Sequence, residues 1–152
     1  MKKLKKRDTM PARLKKAKKD LEILSHNFVR RRDSKDKDFI GGFCFDCGLP
    51  AEGQQFQCGH WQPSGSCGAI LRYHPHNMHG QRGACNIGYV QEKVKIDYTL
   101  KMIEKYGAER VEKLRQLRNK TIKADIIFYL KMIELYTVGD EDAIVFYLES
   151  ML

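Results

Sequence analysis

No apolar run in the 152-residue chain approaches 18 residues, which excludes an ordinary membrane-spanning helix. The basic opening MKKLKKRDTM has no apolar stretch behind it, so it does not read as a secretory signal. Without secretion, the five cysteines, an odd number, read as reduced thiols or metal ligands rather than disulfides. Internal repeats are absent, which removes solenoids and propellers. Acidic residues are scarce at one end. Residues 1–32 hold 13 Lys/Arg against 3 Asp/Glu, whereas the remaining 120 residues hold 15 against 16. The expectation is a cytoplasmic protein with no membrane partner.

The 31% charged and 42% hydrophobic fractions fit one ordinary globular domain of this length. The net charge of +9 resides on the N-terminal arm, and such a field points to a polyanion, with nucleic acid ahead of an anionic membrane surface. Residues 1–10 read as a disordered basic tail and 11–152 as a single domain. Within it, Leu14, Ala17, Leu21, Leu24 and Phe28 recur at steps of three and four, which predicts a basic helix over 11–33 with Pro11 in its first turn. Residues 40–93 alternate short aromatic pieces with Gly and Pro, as small hairpins do.

Residues 94–152 read as helical. Ile96, Leu100, Ile103 and Tyr106 make one stripe closed by Gly107, and Val111, Leu114 and Leu117 make a second. Ile122, Ile126, Tyr129, Leu130 and Ile133 make a third, and residues 141–152 a last helix. From Met132 onward there are five acidic residues and no basic one. That end could pack on the basic arm, on another protomer, or lie solvated. The fold class is α+β.

The chemistry concentrates in Cys44, Cys47, His60, Asn77, Cys85 and Asn86. A C-x-x-C at a Gly-bearing turn, Cys44 and Cys47, aims two sulfurs at one point, as in a zinc knuckle. Cys85 stands at a helix start as a third ligand. A redox pair would need a strand-to-helix setting that is missing here. His60 lies on a presumed strand, Asn77 follows seventeen residues later and Asn86 nine after that. A His on a strand, an Asn in a loop and an Asn opening a helix describe the hairpin-plus-helix (ββα-metal) nuclease centre called HNH. A neutral imidazole with an unperturbed pKa of about 6.5 can take a proton from water at neutral pH. Asn77 would orient it, and Asn86 would help hold Mg²⁺ or Mn²⁺ beside the scissile phosphate. Singly, each residue reads more simply as a bonded histidine, a loop cap and a helix cap; the ordered set, framed by cysteines, carries the nuclease reading.

The order FVRRRD, CFDCG, QCGHW, LRYHPHNMHGQ, CN and DYTLKMIEKYGAERVEKL resembles the NinG/Rap recombination proteins of lambda-like phages over roughly residues 21–117. The matching positions are Arg30–Asp33, Gly59-His60-Trp61, Arg72-Tyr73, Asn77 with His79 and Gln81, Cys85-Asn86, and Tyr98 with Gly107. The resemblance implies a structure-specific endonuclease acting on branched DNA, such as Holliday junctions or flaps. Two departures stand out. Arg82 replaces the first cysteine of the family's second C-x-x-C, and IGYVQEKVK has Gly88 but lacks the Gly-Asn usual in the following helix. Cys67 is the candidate fourth zinc ligand. Cys58 is placed by strand alternation on the His60 side, and the resemblance gives His79 another role. Zinc on three cysteines plus a substitute and no zinc at all both remain open.

Phosphate contacts are expected from Lys15, Lys16, Lys18, Lys19 and Arg30, Arg31 and Arg32 of the basic helix, with Arg72 and Arg82 beside the centre. Symmetric cutting of a junction needs two active sites, so a homodimer is the expectation. The alternative is an inactive DNA-binding module on the same scaffold.

Overall fold

A computed structural model describes residues 9–36, 38–87 and 92–152. The basic helix runs Met10–Arg32 (α1), with Pro in its first turn and Asp33 as its C-cap. Met10 is therefore already helical, and residues 1–8 of the expected tail lie outside the described residues. Ala17, Leu21, Ser25 and Val29, one turn apart, are buried, while Lys15, Lys16, Lys18 and Lys19 are exposed. That is the division its periodicity dictates.

Next come β1 (Gly41–Phe43), β2 (Pro50–Glu52), β3 (Phe56–His60), a short α2 (Ala69–Arg72), β4 (Met78–Arg82) and α3 (Gly83–Ile87). The helical region is α4 (Glu92–Tyr106), α5 (Ala108–Leu117), α6 (Ile126–Val138) and α7 (Glu141–Glu149). The strands form two two-stranded sheets, β1–β2 and β3–β4, both antiparallel, with Phe56 opposite Arg82 and His60 opposite Met78 in the second. The chain is α+β.

Close packing on β3–β4 depends on two glycines. The Phe56 ring lies 2.1 Å from where a Cβ on Gly80 would be, and the Gln81 side chain crosses Gly59 so closely that a Cβ there would stand 1.5 Å from its Oε1. Neither residue can carry a side chain without moving its neighbour.

α6 packs along α1, where Phe28 meets Tyr136 edge-on at 5.4 Å and Tyr136 donates to the Tyr73 carbonyl at 2.6 Å. Val111, Leu114 and Leu117 of α5 are buried as expected. α4 is rotated from the face predicted, and of that stripe only Tyr106 packs on the core. Tyr98 and Met102 are fully buried, whereas Ile96, Leu100 and Ile103 are exposed. The reason is polar anchoring: Tyr98 Oη donates to the Gly59 carbonyl at 3.2 Å and lies 3.0 Å from His79 Nδ1, and this fixes the helix rotation ahead of the aliphatic stripe. In α6, Phe128, Tyr129, Met132 and Tyr136 face inward, Leu130 is exposed, and Ile122 precedes the helix.

The acidic end packs on the body. Arg32, at the end of α1, donates to both Asp33 oxygens at 2.7 and 3.0 Å, to the Pro75 and Met78 carbonyls at 3.1 and 2.7 Å, and to Glu141 of α7 at 3.1 Å. Farther along α7, Glu149 lies 2.6 Å from Arg110 of α5 and 3.2 Å from His74 Nε2. His74 Nδ1 accepts from the His76 amide, so its Nε2–H donates to Glu149. Burial holds His74 neutral, its pKa down at about 4, and the contact is a hydrogen bond at neutral pH rather than an ion pair.

Replacing Arg32 by Ala takes a charged partner from Glu141 and Asp33 and a donor from two carbonyls at once. We expect a loss of about 3–5 kcal/mol in urea unfolding, against less than about 0.5 kcal/mol for Lys15→Ala.

Acid should destabilise the fold in two steps. Burial lowers the pKa of His60 and His74 to about 4 and of His79 well below its ordinary value, so the unfolded chain takes up protons first as pH falls below about 6.5. Burial alone would raise the Glu141 carboxyl, but His76 and Arg32 hold it at about 2; the His74 bond, working against burial, brings Glu149 to about 2. Their contribution disappears from about pH 4.5 downward. The urea midpoint should therefore fall from pH 7 to 4 and again below 4.5, with Glu149→Gln shrinking the second fall.

Candidate functional site

His60 ends β3, and its Nε2 lies 3.1 Å from the carbonyl of Arg72. Only a protonated Nε2 can bond a carbonyl, so Nδ1 keeps the lone pair. Burial, followed by the neighbouring His26, pushes the His60 pKa down to about 4, so the imidazole is neutral and able to accept a proton at pH 7. The His26 ring of α1 stands 5.6 Å away, edge-on. Glu22, one turn before it, lies 3.7 Å from Arg72.

Asn77 is fully buried. Its Nδ2 donates to the carbonyls of Gln62 and Leu71 at 3.1 and 3.0 Å, and its Oδ1 accepts from the Gln62 amide at 2.8 Å. These bonds close the 62–77 loop on itself and set the Arg72 carbonyl beside His60. The orienting effect expected of Asn77 runs through the loop backbone, since its bonds go to Gln62 and Leu71 and not to the His60 ring.

Asn86 lies near the end of α3 rather than at its start, and its Nδ2 donates to Gln57 Oε1 at 3.0 Å. It lines a cavity of about 470 Å³ together with Ile23, His26 and Arg30 of α1 and Gln57 and Cys58 of β3. Asn86 offers a cation one hard oxygen donor and His26 one nitrogen; among the described residues no carboxylate lines the cavity. A divalent ion there would take its remaining ligands from water and from phosphate oxygens. Gly88 and the segment through Gln91 lie outside the described residues.

The thiols form a separate group. One donor atom each from Cys44, Asp46, Cys47 and Cys85 falls within 4.8 Å of all the others. The turn that brings them together is local: Gly48 adopts φ 72°, the Cys44 amide donates to the Leu49 carbonyl at 2.9 Å and the Gly48 amide to the Cys44 carbonyl at 2.9 Å. Cys44 Sγ donates to Asp46 Oδ1 at 2.7 Å, and Gln81, having crossed Gly59, donates to Asp46 Oδ2 at 3.1 Å. The Phe45 amide bonds the Gly80 carbonyl at 2.9 Å, which ties the knuckle to β4.

Cys67 is not part of this group, since its sulfur is directed to the Gln62 and Ser64 carbonyls at 4.0 Å. The fourth donor is Asp46, and its signal lay inside the motif itself, the D of CFDC. Three thiols and a carboxylate within this span suit a four-coordinate zinc ion. Burial and the bond to Asp46 raise the Cys44 thiol to about 11. For Cys47, hydrogen bonds from Leu49, Cys85, Cys44 and Arg82 outweigh burial and lower it. Arg82 Nη1 lies 3.9 Å from Cys47 Sγ, so the residue at the missing-cysteine position sets a cation against a thiol.

The expected phosphate-binding cations divide by burial. Arg30 donates to the Phe56 and Gly53 carbonyls at 2.7 and 2.6 Å, and Arg32 is consumed by the clamp described above. Arg31 and the four lysines of α1 are exposed. His79, with its nitrogens 3.0 and 2.8 Å from the hydroxyls of Tyr98 and Tyr106, anchors α4 and does not join the thiols.

These elements define a mixed α+β protein with two small antiparallel sheets and a Cys/Asp group able to hold a metal. The family model described as Bacteriophage Lambda NinG protein matches residues 1–138, and the chain belongs to that family. No curated protein and no solved structure matches the chain. The match extends the resemblance to all elements except α7. No helix among the described residues is long and apolar enough to cross a membrane.

Purified protein should carry one zinc per chain by elemental analysis. Asp46→Ala should lose it to a chelator at a concentration at least about tenfold lower, whereas Cys67→Ser should retain it.

Proposed function

We propose that this chain is a metal-dependent endonuclease of phage recombination that cleaves branched DNA by attack of water on phosphate. The observation that carries the reading is a neutral, carbonyl-held His60 whose ring lies 5.6 Å from that of His26, a residue that lines one cavity with Asn86 on a helix whose lysines are exposed. His60 Nδ1 is the base: it takes the proton of a water aligned on phosphorus as the leaving oxygen departs. Asn77 keeps the Arg72 carbonyl in place, which fixes the tautomer and direction of that base. Asn86 would hold Mg²⁺ or Mn²⁺, whose chemistry when bound is to neutralise charge on the phosphate. The exposed lysines of α1 and Arg31 grip the backbone of the DNA arms. Family membership supports the recombination setting; branched-DNA specificity is a family expectation.

A second reading, an inactive DNA-binding module, draws on the lack of a carboxylate among the described residues lining the cavity. The two separate in one experiment: labelled four-way junction and plain duplex, incubated with and without Mn²⁺. The endonuclease reading expects Mn²⁺-dependent nicking of the junction, abolished by His60→Ala while a gel-shift affinity stays within about threefold. Cleavage by the variant at the wild-type rate removes His60 from the role. Binding without cleavage in any divalent metal leaves the module.

A further inference from the structure

α1 carries a third face besides its apolar stripe and its lysines. Glu22, His26 and Arg30 recur every four residues, which sets them in one row, and each reaches the hairpin centre. Glu22 pairs with Arg72 at 3.7 Å, the residue whose carbonyl holds His60. Arg30 donates to the carbonyls of Phe56 and Gly53, at either end of the turn leading into β3. Between them, His26 sets its ring 5.6 Å from His60 and lines the same cavity as Arg30, Gln57 and Asn86. His60 has committed Nε2 to a backbone carbonyl. His26, half-buried, is held by no side-chain hydrogen bond among the described residues, so the two imidazoles at this centre differ in what they have left to offer.

The lining indicates what the cavity would take. It holds one guanidinium, amides and an imidazole and, among the described residues, no carboxylate. A bare hard cation prefers carboxylate oxygens, whereas an anionic oxygen is satisfied by N–H donors near a positive charge. The volume, about 470 Å³, is that of a small-ligand site rather than of a trapped water.

We propose that His26 is a substrate-contacting residue, whose imidazole N–H donates to a non-bridging oxygen of a DNA phosphodiester seated in the cavity between α1 and the β3–α3 junction. The substrate class rests on the endonuclease reading. α1 then does two jobs on one ligand: its lysines hold the flanking backbone, and its inward row forms a wall of the reaction site. Burial lowers the His26 pKa against the opposing effect of Glu22, with Arg72 and Arg30 adding to the lowering. The ring is therefore a neutral donor at pH 7 and gains basicity when an anion arrives.

The test uses the full chain with ¹⁵N-labelled histidines, titrated with a short DNA duplex. The His26 ring signals should shift saturably, while those of the fully buried His74 and His79 stay put. A His26 shift no larger than theirs overturns the proposal whatever the fate of the nuclease reading. Kinetics on a four-way junction with Mn²⁺ give the second arm. His26→Ala should lower kcat by about tenfold or more with KM within about threefold, and His26→Gln, which keeps a donor, should recover part of the rate. Wild-type cleavage matched by His26→Ala rejects His26 and leaves the nuclease reading standing. If the wild type cuts nothing, the nuclease reading falls and the histidine signals alone decide whether DNA occupies the cavity.

Discussion

Arg32 and Asp33 at the end of α1 form the node on which the rest of the structure hangs. A buried guanidinium is tolerable only when its donors are met by carboxylates and carbonyls in good geometry. Here those acceptors come from four places: Asp33, Glu141 of α7 and the Pro75 and Met78 carbonyls. Asp33 in turn accepts from the Gly80 amide at 2.7 Å, and its own carbonyl lies against Gly42, where a Cβ would come within 2.6 Å. One residue pair thus joins the long helix to both sheets, to the loop holding Asn77 and to the last helix. The three arginines at this helix end look in sequence like a phosphate grip. Two are instead structural, and the exposed charge of the helix belongs to Arg31 and the lysines farther up.

Within residues 77–86 the strand face alone does not sort the side chains between the α4 anchor and the thiol group. His79 bonds Tyr98 and Tyr106, Gln81 reaches over Gly59 to Asp46, and Arg82 meets Cys47. Gly59 is thus more than a spacer before the sequence-expected base. Its missing side chain lets Gln81 cross the strand and hold the carboxylate of the thiol group. Gln81 Oε1 has no partner among the described residues despite being buried, a strain that the Asp46 bond must outweigh.

Elements governed by periodicity were legible in the sequence, and those governed by single polar contacts were not. The basic helix, the short α5 stripe and the C-x-x-C knuckle follow from spacing alone. α4 defeated the pattern because Tyr98 and His79, partners nineteen residues apart, decide which face turns inward, and hydropathy counts neither as strongly as Ile96 or Leu100. Asp46 was overlooked because an acidic residue inside a C-x-x-C reads as loop filler until its carboxylate is seen among the sulfurs. His26 was hidden by its position on a helix already explained by charge and amphipathicity. A helix has room for a third face, and a row spaced by four is visible only once something is known to lie against it.

Arg82 changes meaning when charge is counted. Four thiolates on a divalent ion leave a net of −2, and replacing one by the Asp46 carboxylate leaves the same. Arg82, at the position of the lost cysteine, adds a positive charge beside Cys47 and brings the assembly nearer neutrality. The substitution therefore supplies no ligand but reduces the electrostatic cost of gathering three thiolates and a carboxylate. Asp46 lies between two of the cysteines in sequence and is already bonded to Cys44 and Gln81, so little further ordering is needed to bring it to a metal. Four donors are gathered here without a cysteine at position 82, because Asp46 stands with the three thiols.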